Sequence, residues 1–311
     1  MFLYESITAM QWLMFLVVLG SLMLANEISR RSLWAAIACF AILPLGLLLF
    51  VWPNTVPGTH ADTWFHYAKV YSVLIACLGF LLLRYVPRLQ KNKFLLFFPA
   101  LILAVNIFEA VMRDFELAGA NGIVDNIMVV GGPWNYMNGV AGILNILTIC
   151  GWAGIYITRD KTQDMIWPDM MWFWIIAYDL WNFAYVYNCV GASSFYAGGA
   201  LLLSCTIPAF FMCKGAWLQH RAHTLAFWMM FIMVAPNFST YSQWTVQPSY
   251  EPTALFLVSF LSLAANIAVA VYQVRVIYKR RLNPLTDELY SDHAKYQEVA
   301  DPMLSKPAVT A

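Results

Sequence analysis

Two polar stretches inside apolar segments carry the residues best suited to chemistry. In the first, AVNIFEAVMRDFE, Asn106, Glu109 and Arg113 recur three and four positions apart and therefore share one face of a helix. The second, YDLWNFAYVYN, places Asp179 and Asn182 about one helical turn apart. Ionisable groups at membrane depth are costly and usually face a protein interior or a wet cavity. The two stretches therefore predict where a functional interior would lie.

Asp179 is the strongest single candidate for a functional carboxylate. It lies about ten residues from either end of its apolar segment, which predicts a position near the middle of a membrane. A charged Asp costs roughly 2.5–3.5 kcal/mol there, so the carboxyl group must be neutral, paired or hydrated. Asn182 is the nearest candidate partner. The alternatives are a carboxylate that titrates protons or binds a cation, and a structural carboxylate bonded to a Tyr or Asn of a neighbouring helix.

An aromatic stripe follows the same helical spacing beside Asp179. Its members are Trp174, Tyr178, Trp181 and Tyr185. Such a wall can hold an organic solute, but ordinary aromatic packing is the simpler interpretation of the stripe by itself.

Glu109 has two candidate partners. Arg113 follows it in the favourable i, i+4 orientation, which predicts a salt bridge, and Lys69 enters the preceding apolar segment. A glutamate that is buried without a cation would have a raised pKa and could exchange protons. We expect Lys69, Glu109, Arg113 and Asp114 to line one outward-facing polar vestibule.

Composition identifies a membrane protein. Of 311 residues, 61% are hydrophobic and 11% are charged, whereas about a quarter of the residues of a soluble domain are charged. The net charge of +1 gives no reason to expect a nucleic-acid partner. The cysteines are dispersed, and the chain lacks a Gly-rich phosphate loop, H-E-x-x-H and G-x-S-x-G. We therefore expect no metal and no cofactor.

Hydropathy predicts an all-α, polytopic bundle with about nine transmembrane spans in residues 1–281, because a span needs about 20 mostly apolar residues. The predicted spans are Met10–Asn26, Leu33–Trp52, His66–Val86, Phe94–Arg113, Trp134–Ile157, Met170–Cys189, Phe195–Cys213, Thr224–Phe238 and Pro252–Tyr272. Between the fourth and fifth, Ile123–Val130 is expected to form a short re-entrant or interfacial piece.

The basic residues orient this bundle. Lys and Arg follow spans one, three, five, seven and nine, with Lys214 and Arg221 after the seventh, and are nearly absent from the alternate loops. Basic residues collect in cytoplasmic loops. The pattern predicts an external N-terminus and a cytoplasmic C-terminus. Residues 282–311 form a polar cytoplasmic tail, either as a short helix through Leu285, Leu289 and Tyr296 or as a disordered segment.

Three runs carry a resemblance to a known family: LANEISRRS, DTWFHYAKVYSVLIACLGF and LILAVNIFEAVMRDFE. They are similar to an uncharacterised family of bacterial multi-pass membrane proteins that is known only as a domain of unknown function. The resemblance extends over most of the chain. It implies a membrane-embedded fold and assigns no activity, substrate or site residue.

The leading hypothesis is a small-solute transporter or permease of the plasma membrane, coupled to protons through Asp179 or Glu109. Its partners would be the lipid bilayer and a small organic solute. The alternative is an intramembrane enzyme that acts on a lipid or isoprenoid-like substrate, with the same two carboxylates as general acid and base. A third interpretation is a structural or assembly protein whose polar residues lock helices together. Of these hypotheses, the sequence favours a protein without enzymatic activity.

Overall fold

The computed structural model describes residues 2–304, and helices dominate this part of the chain. Its ten principal helices are α1 Ala9–Arg31, α2 Leu33–Thr55, α3 Trp64–Tyr85, α4 Lys93–Leu117, α5 Pro133–Leu147, α6 Trp172–Cys189, α7 Gly191–Phe211, α8 Trp217–Val234, α9 Pro252–Arg280 and α10 Ala294–Leu304. Helices α1 to α9 correspond one to one with the nine predicted spans.

Within residues 2–304, six helices are long and apolar enough to cross a membrane, which indicates an integral membrane protein. They are α1, α2, α3, α4, α7 and α9. The other three long helices differ in length or polarity: α5 has only 15 residues, and α6 and α8 have 18 residues each and carry Asp179 and Arg221. The number of nine spans and the orientation of the termini stay predictions.

Local sequence signals explain where several helices begin. Thr8 and Gln11 form a reciprocal capping box at the start of α1. The Thr63 side chain accepts the first-turn N–H of His66 at the start of α3. Helix α5 has a proline in its first turn, where the missing N–H costs nothing.

The long helices pack around α6 and α8. Helix α6 contacts α4, α5, α7 and α9, and α8 contacts α1, α3 and α7. Both helices are buried along most of their length. This arrangement places their polar residues in the protein interior, away from lipid.

Several helix boundaries differ from the prediction; for example, α9 ends at Arg280 and not at Tyr272. Helix α5 ends at Leu147, ten positions before the predicted Ile157, and the chain then turns at Gly151, which adopts φ +60°. Residues Tyr156–Ile157 of the predicted span are a strand that pairs with Met165–Ile166 in a two-stranded antiparallel hairpin. Helix α8 begins at Trp217, not at Thr224, and therefore includes Arg221.

The predicted re-entrant piece is a β-hairpin. Strands β1 (Asn121–Val124) and β2 (Ile127–Val130) pair antiparallel, and the strands of the later hairpin are β3 and β4. Asp125 and Asn126 form the turn with φ of 50° and 61°. Positive φ at both central residues is the type I′ geometry that matches the twist of paired strands.

The tail is ordered where the structure describes it. After α9 the chain turns at Arg281, which adopts φ 57°, and it then packs Leu289 and Tyr290 against the bundle. Helix α10 follows. It includes Tyr296 of the predicted tail helix, but Leu285 and Leu289 lie before it in turns. The last seven predicted tail residues, 305–311, lie outside the described residues.

Candidate functional site

Lys69 and Glu109 form a buried ion pair between α3 and α4. The Lys69 Nζ lies 3.0 Å from Glu109 Oε2, and it also donates to the backbone and side-chain oxygens of Asn106 at 2.6 Å and 3.1 Å. Ser72 donates to the same Glu109 oxygen at 3.2 Å. An ammonium group has three donors, so Lys69 is fully satisfied by these partners.

Arg113 does not pair with Glu109, and the predicted vestibule separates into different contacts. Arg113 donates to Glu116 at 2.9 Å and to Asp125 in the turn of the β1–β2 hairpin. Its side chain reaches toward the helix end, whereas Glu109 faces α3. Asp114 lies on another side of α4 and accepts a hydrogen bond from Asn138 at 2.8 Å. Arg113 therefore bonds to Glu116 of its own helix and to Asp125 of the hairpin, and not to the i, i+4 partner that the sequence predicted.

Asp179 contacts α7 and not Asn182. Its Oδ2 accepts a hydrogen bond of 2.7 Å from Thr206. Its Oδ1 is buried and has no hydrogen-bond partner within residues 2–304. Asn182 instead accepts a bond of 3.3 Å from Arg221 on α8. Asp179 and Asn182 therefore lie about one turn apart on α6, as predicted, but they bond to different helices.

Arg221 was missed as a site residue because span eight was predicted to begin at Thr224. It is only 4% exposed, and its Nε donates to the hydroxyl of Tyr178 at 3.2 Å. Its guanidinium also lies 5.7 Å from the centre of the Tyr178 ring, within the range of a cation–π interaction. The signal that could have located it is the apolar period of Leu218, Ala222 and Leu225, which extends the helix back past Thr224.

These elements enclose a cavity of about 60 Å³. Helices α3, α4, α6, α7 and α8 all contribute to its wall. Its polar lining residues are His66, Lys69, Asn106, Asn182, Tyr185, Ser193 and Arg221. Lys69, Asn106 and Asn182 are thus predicted site residues that the structure brings together. Glu109 reaches the cavity only through Lys69, and Arg113 and Asp179 do not line it.

Most of the predicted aromatic lining is packing. Trp174 stacks on Tyr178 with ring centres 5.6 Å apart, and Tyr178 meets Trp181 at 5.3 Å. The Trp174 indole donates to Thr148 at 3.0 Å. Only Tyr185 of the four faces the cavity, and its hydroxyl is buried with no hydrogen-bond partner in the described part of the chain.

Comparison with known proteins agrees with the resemblance drawn from the three sequence runs. The family model described as "Family of unknown function (DUF5692)" matches residues 5–302. No curated protein and no solved structure matches the chain. Because the family's function is unknown, the match transfers no activity. Since it covers nearly the whole length, the chain belongs to the DUF5692 family.

Proposed function

We propose that this membrane protein transports a small organic solute and that the cavity between α3, α4, α6, α7 and α8 is its binding site. The observation that carries the proposal is a buried cavity whose wall includes polar side chains with unused hydrogen-bonding groups. Ligand sites in helical proteins are commonly concave, mostly apolar and equipped with a few such groups. Internal polar groups at membrane depth are typical of substrate pathways.

The enzyme alternative has less support. It requires Glu109 and Asp179 to act on one substrate as general acid and base. Glu109 is held by Lys69 and Ser72, Asp179 is held by Thr206, and neither lines the cavity. A general acid or base must come within hydrogen-bond reach of the reacting group. The observed partners therefore favour transport over catalysis by this pair.

The experiment fills the cavity with a bulky side chain and measures which compounds cross a liposome membrane. Purified protein in liposomes is incubated with a mixture of small organic acids, amino acids and sugars, and the contents of the liposome lumen are identified by mass spectrometry. Ala197→Trp places a bulky ring in the cavity wall. Leu203→Trp is the matched control, because Leu203 lies on the same helix and is 42% exposed on its outer side.

We expect at least one compound to enter liposomes that hold the wild type or Leu203→Trp, and to be excluded by Ala197→Trp. Identical lumen contents for the three proteins and for empty liposomes would contradict transport. A changed lipid or a new product, without any change in lumen contents, would favour the intramembrane enzyme.

A further inference from the structure

Arg221 has no carboxylate in direct contact within residues 2–304. The acidic group that acts on its charge electrostatically, Asp179, bonds to Thr206 instead. None of the salt bridges within residues 2–304 involves Arg221. Its two hydrogen bonds go to neutral oxygens, those of Tyr178 and Asn182. Its Nη1 is buried and has no partner in the same range. An isolated buried charge is strongly unfavourable unless it is paired.

Other buried arginines in the described chain are satisfied differently. Arg30 pairs with Glu27 and Asp164, and Arg113 pairs with two carboxylates as described above. Arg84 donates to three backbone carbonyl oxygens, from Arg30, Thr162 and Gln163. Arg221 differs from all three because its buried Nη1 has no hydrogen-bond partner within residues 2–304, and its side chain lines the cavity.

The cavity wall therefore includes one cation, Arg221, that has no carboxylate in direct contact within residues 2–304. Asp179 acts on this charge from outside the cavity lining. Lys69 also lines the cavity, but Lys69 is neutralised by Glu109 at 3.0 Å and uses its other donors on Asn106. Tyr185 adds a neutral donor on the same face of α6 as Asn182, with its hydroxyl unpartnered within residues 2–304. This balance fits a ligand with a single negative charge better than a dianion such as phosphate or sulfate.

The part of the cavity wall that α8 contributes beyond Arg221 is apolar. It is formed by Leu225, Trp228, Met229 and Ile232. Arg221 and Ile232 are eleven positions apart, which corresponds to about 16 Å along a helix. A ligand that fills this space needs an anionic end and a hydrocarbon part.

We propose that the cavity binds a small organic monocarboxylate. The carboxylate accepts hydrogen bonds from Arg221 and Tyr185, and the hydrocarbon part lies along the apolar face of α8. A planar guanidinium suits a carboxylate because two N–H groups can bind its two oxygens. The inference concerns the same cavity as the proposed function, but it requires only binding, so the two proposals can fail separately.

The test compares acids with their uncharged amides. Acetate, butyrate and benzoate are titrated against the full chain in detergent at neutral pH, beside acetamide, butyramide and benzamide, with thermal stability and equilibrium binding as readouts. Arg221→Gln removes the charge. Arg275→Gln is the charge-matched control, because Arg275 is exposed on α9. Tyr185→Phe removes only the hydroxyl.

We expect at least one acid to bind the wild type more tightly than its amide. Arg221→Gln should weaken that binding roughly tenfold to a hundredfold, the value of hydrogen bonds to a charged group, while Arg275→Gln leaves it unchanged. Tyr185→Phe should weaken it by about two- to tenfold. If Arg221→Gln fails to fold, the proposal is tested by the difference in affinity between acids and amides and by the loss of affinity in Tyr185→Phe.

Equal binding of acids and amides by the wild type would overturn the proposal, as would binding of phosphate or sulfate in place of the carboxylates. Carboxylate binding without any flux in liposomes would retain this site and contradict transport. Flux of an uncharged compound, with no carboxylate binding, would support transport and contradict the carboxylate site.

Discussion

At the scale of single residues, the two carboxylates singled out by the sequence have different environments. Glu109 receives a cation and a hydroxyl group, from Lys69 and Ser72. Asp179 receives one hydroxyl group, from Thr206, and its other oxygen is buried without a partner in residues 2–304. A carboxylate lacking a cation in contact is the better candidate to accept a proton inside a membrane. Asp179 is therefore a better candidate than Glu109 for the proton site of the proposed transporter.

We predict that Asp179→Asn abolishes uptake driven by a pH gradient. An amide cannot take up the proton, but its oxygen can still accept the bond from Thr206, so the fold is retained. Exchange of solute without a gradient should remain within about twofold of the wild type. Both rates are measured in liposomes for the compound found in the lumen assay. Asp292→Asn, an exposed position, serves as the control; gradient-driven uptake by Asp179→Asn at the wild-type rate would remove Asp179 as the proton site.

At the scale of elements, a buried carboxylate is one of the groups that attach the tail to the bundle. Asp169 precedes α6, is only 1% exposed, and accepts the backbone N–H groups of Leu289 and Tyr290 at 3.0 Å and 2.8 Å. Its burial raises the pKa of this carboxyl group above its ordinary value, and the two N–H groups act against that rise. Tyr290 also stacks on Tyr272 of α9. These contacts explain why a polar segment after the last long helix is ordered.

We predict that Asp169→Ala releases this segment. Each hydrogen bond to a charged acceptor contributes about 1.5–3 kcal/mol, so losing both should open the segment long before the bundle unfolds. Hydrogen exchange of backbone amides in residues 285–300 measures the effect and should become faster by at least about tenfold. Asp160→Ala is the control, since Asp160 is exposed in the same connection. Equal protection in the two variants would show that Asp169 does not hold the tail.

At the scale of the whole molecule, contacts between distant segments define two ends of the bundle. Before α1, Tyr4 forms a β-bridge with Pro248, and Glu5 donates to the backbone oxygen of Gln247 at 3.0 Å. In the last turn of α1, Arg30 pairs with Asp164 in the connection between α5 and α6. The N-terminus therefore shares an end with the loop before α9. This grouping agrees with the alternation of basic residues along the chain. Which side of the membrane each end faces stays a prediction.

We predict that this loop and the C-terminus lie on opposite sides of the membrane. A reporter inserted in Ser239–Glu251 and a second one at the C-terminus should give opposite signals, with the C-terminal reporter cytoplasmic. A third reporter at the N-terminus should match the loop. Signals on the same side for the loop and the C-terminus would exclude an odd number of crossings between them and refute the orientation.

The sequence by itself determined the features that depend on local period and composition. The helical character of the chain, a membrane environment and the polar stretches on α4 and α6 all follow from hydropathy and helical spacing. Helix boundaries were predicted less well. The apolar residues after Leu147 suggest a continuing helix but lie outside it, and the polar residues before Thr224 suggest a loop but are buried in α8.

Only the tertiary structure decided which polar residues meet. Glu109 pairs with Lys69 of a neighbouring helix and not with Arg113 in its own helix, and Asn182 contacts Arg221 and not Asp179. Helical spacing states which residues share a face, but the partner depends on which helix packs against that face. In a bundle enclosed by lipid, a buried polar group bonds to whatever donor or acceptor the neighbouring helix presents. The cavity and the hydrogen-bond partners of Arg221 both result from this packing.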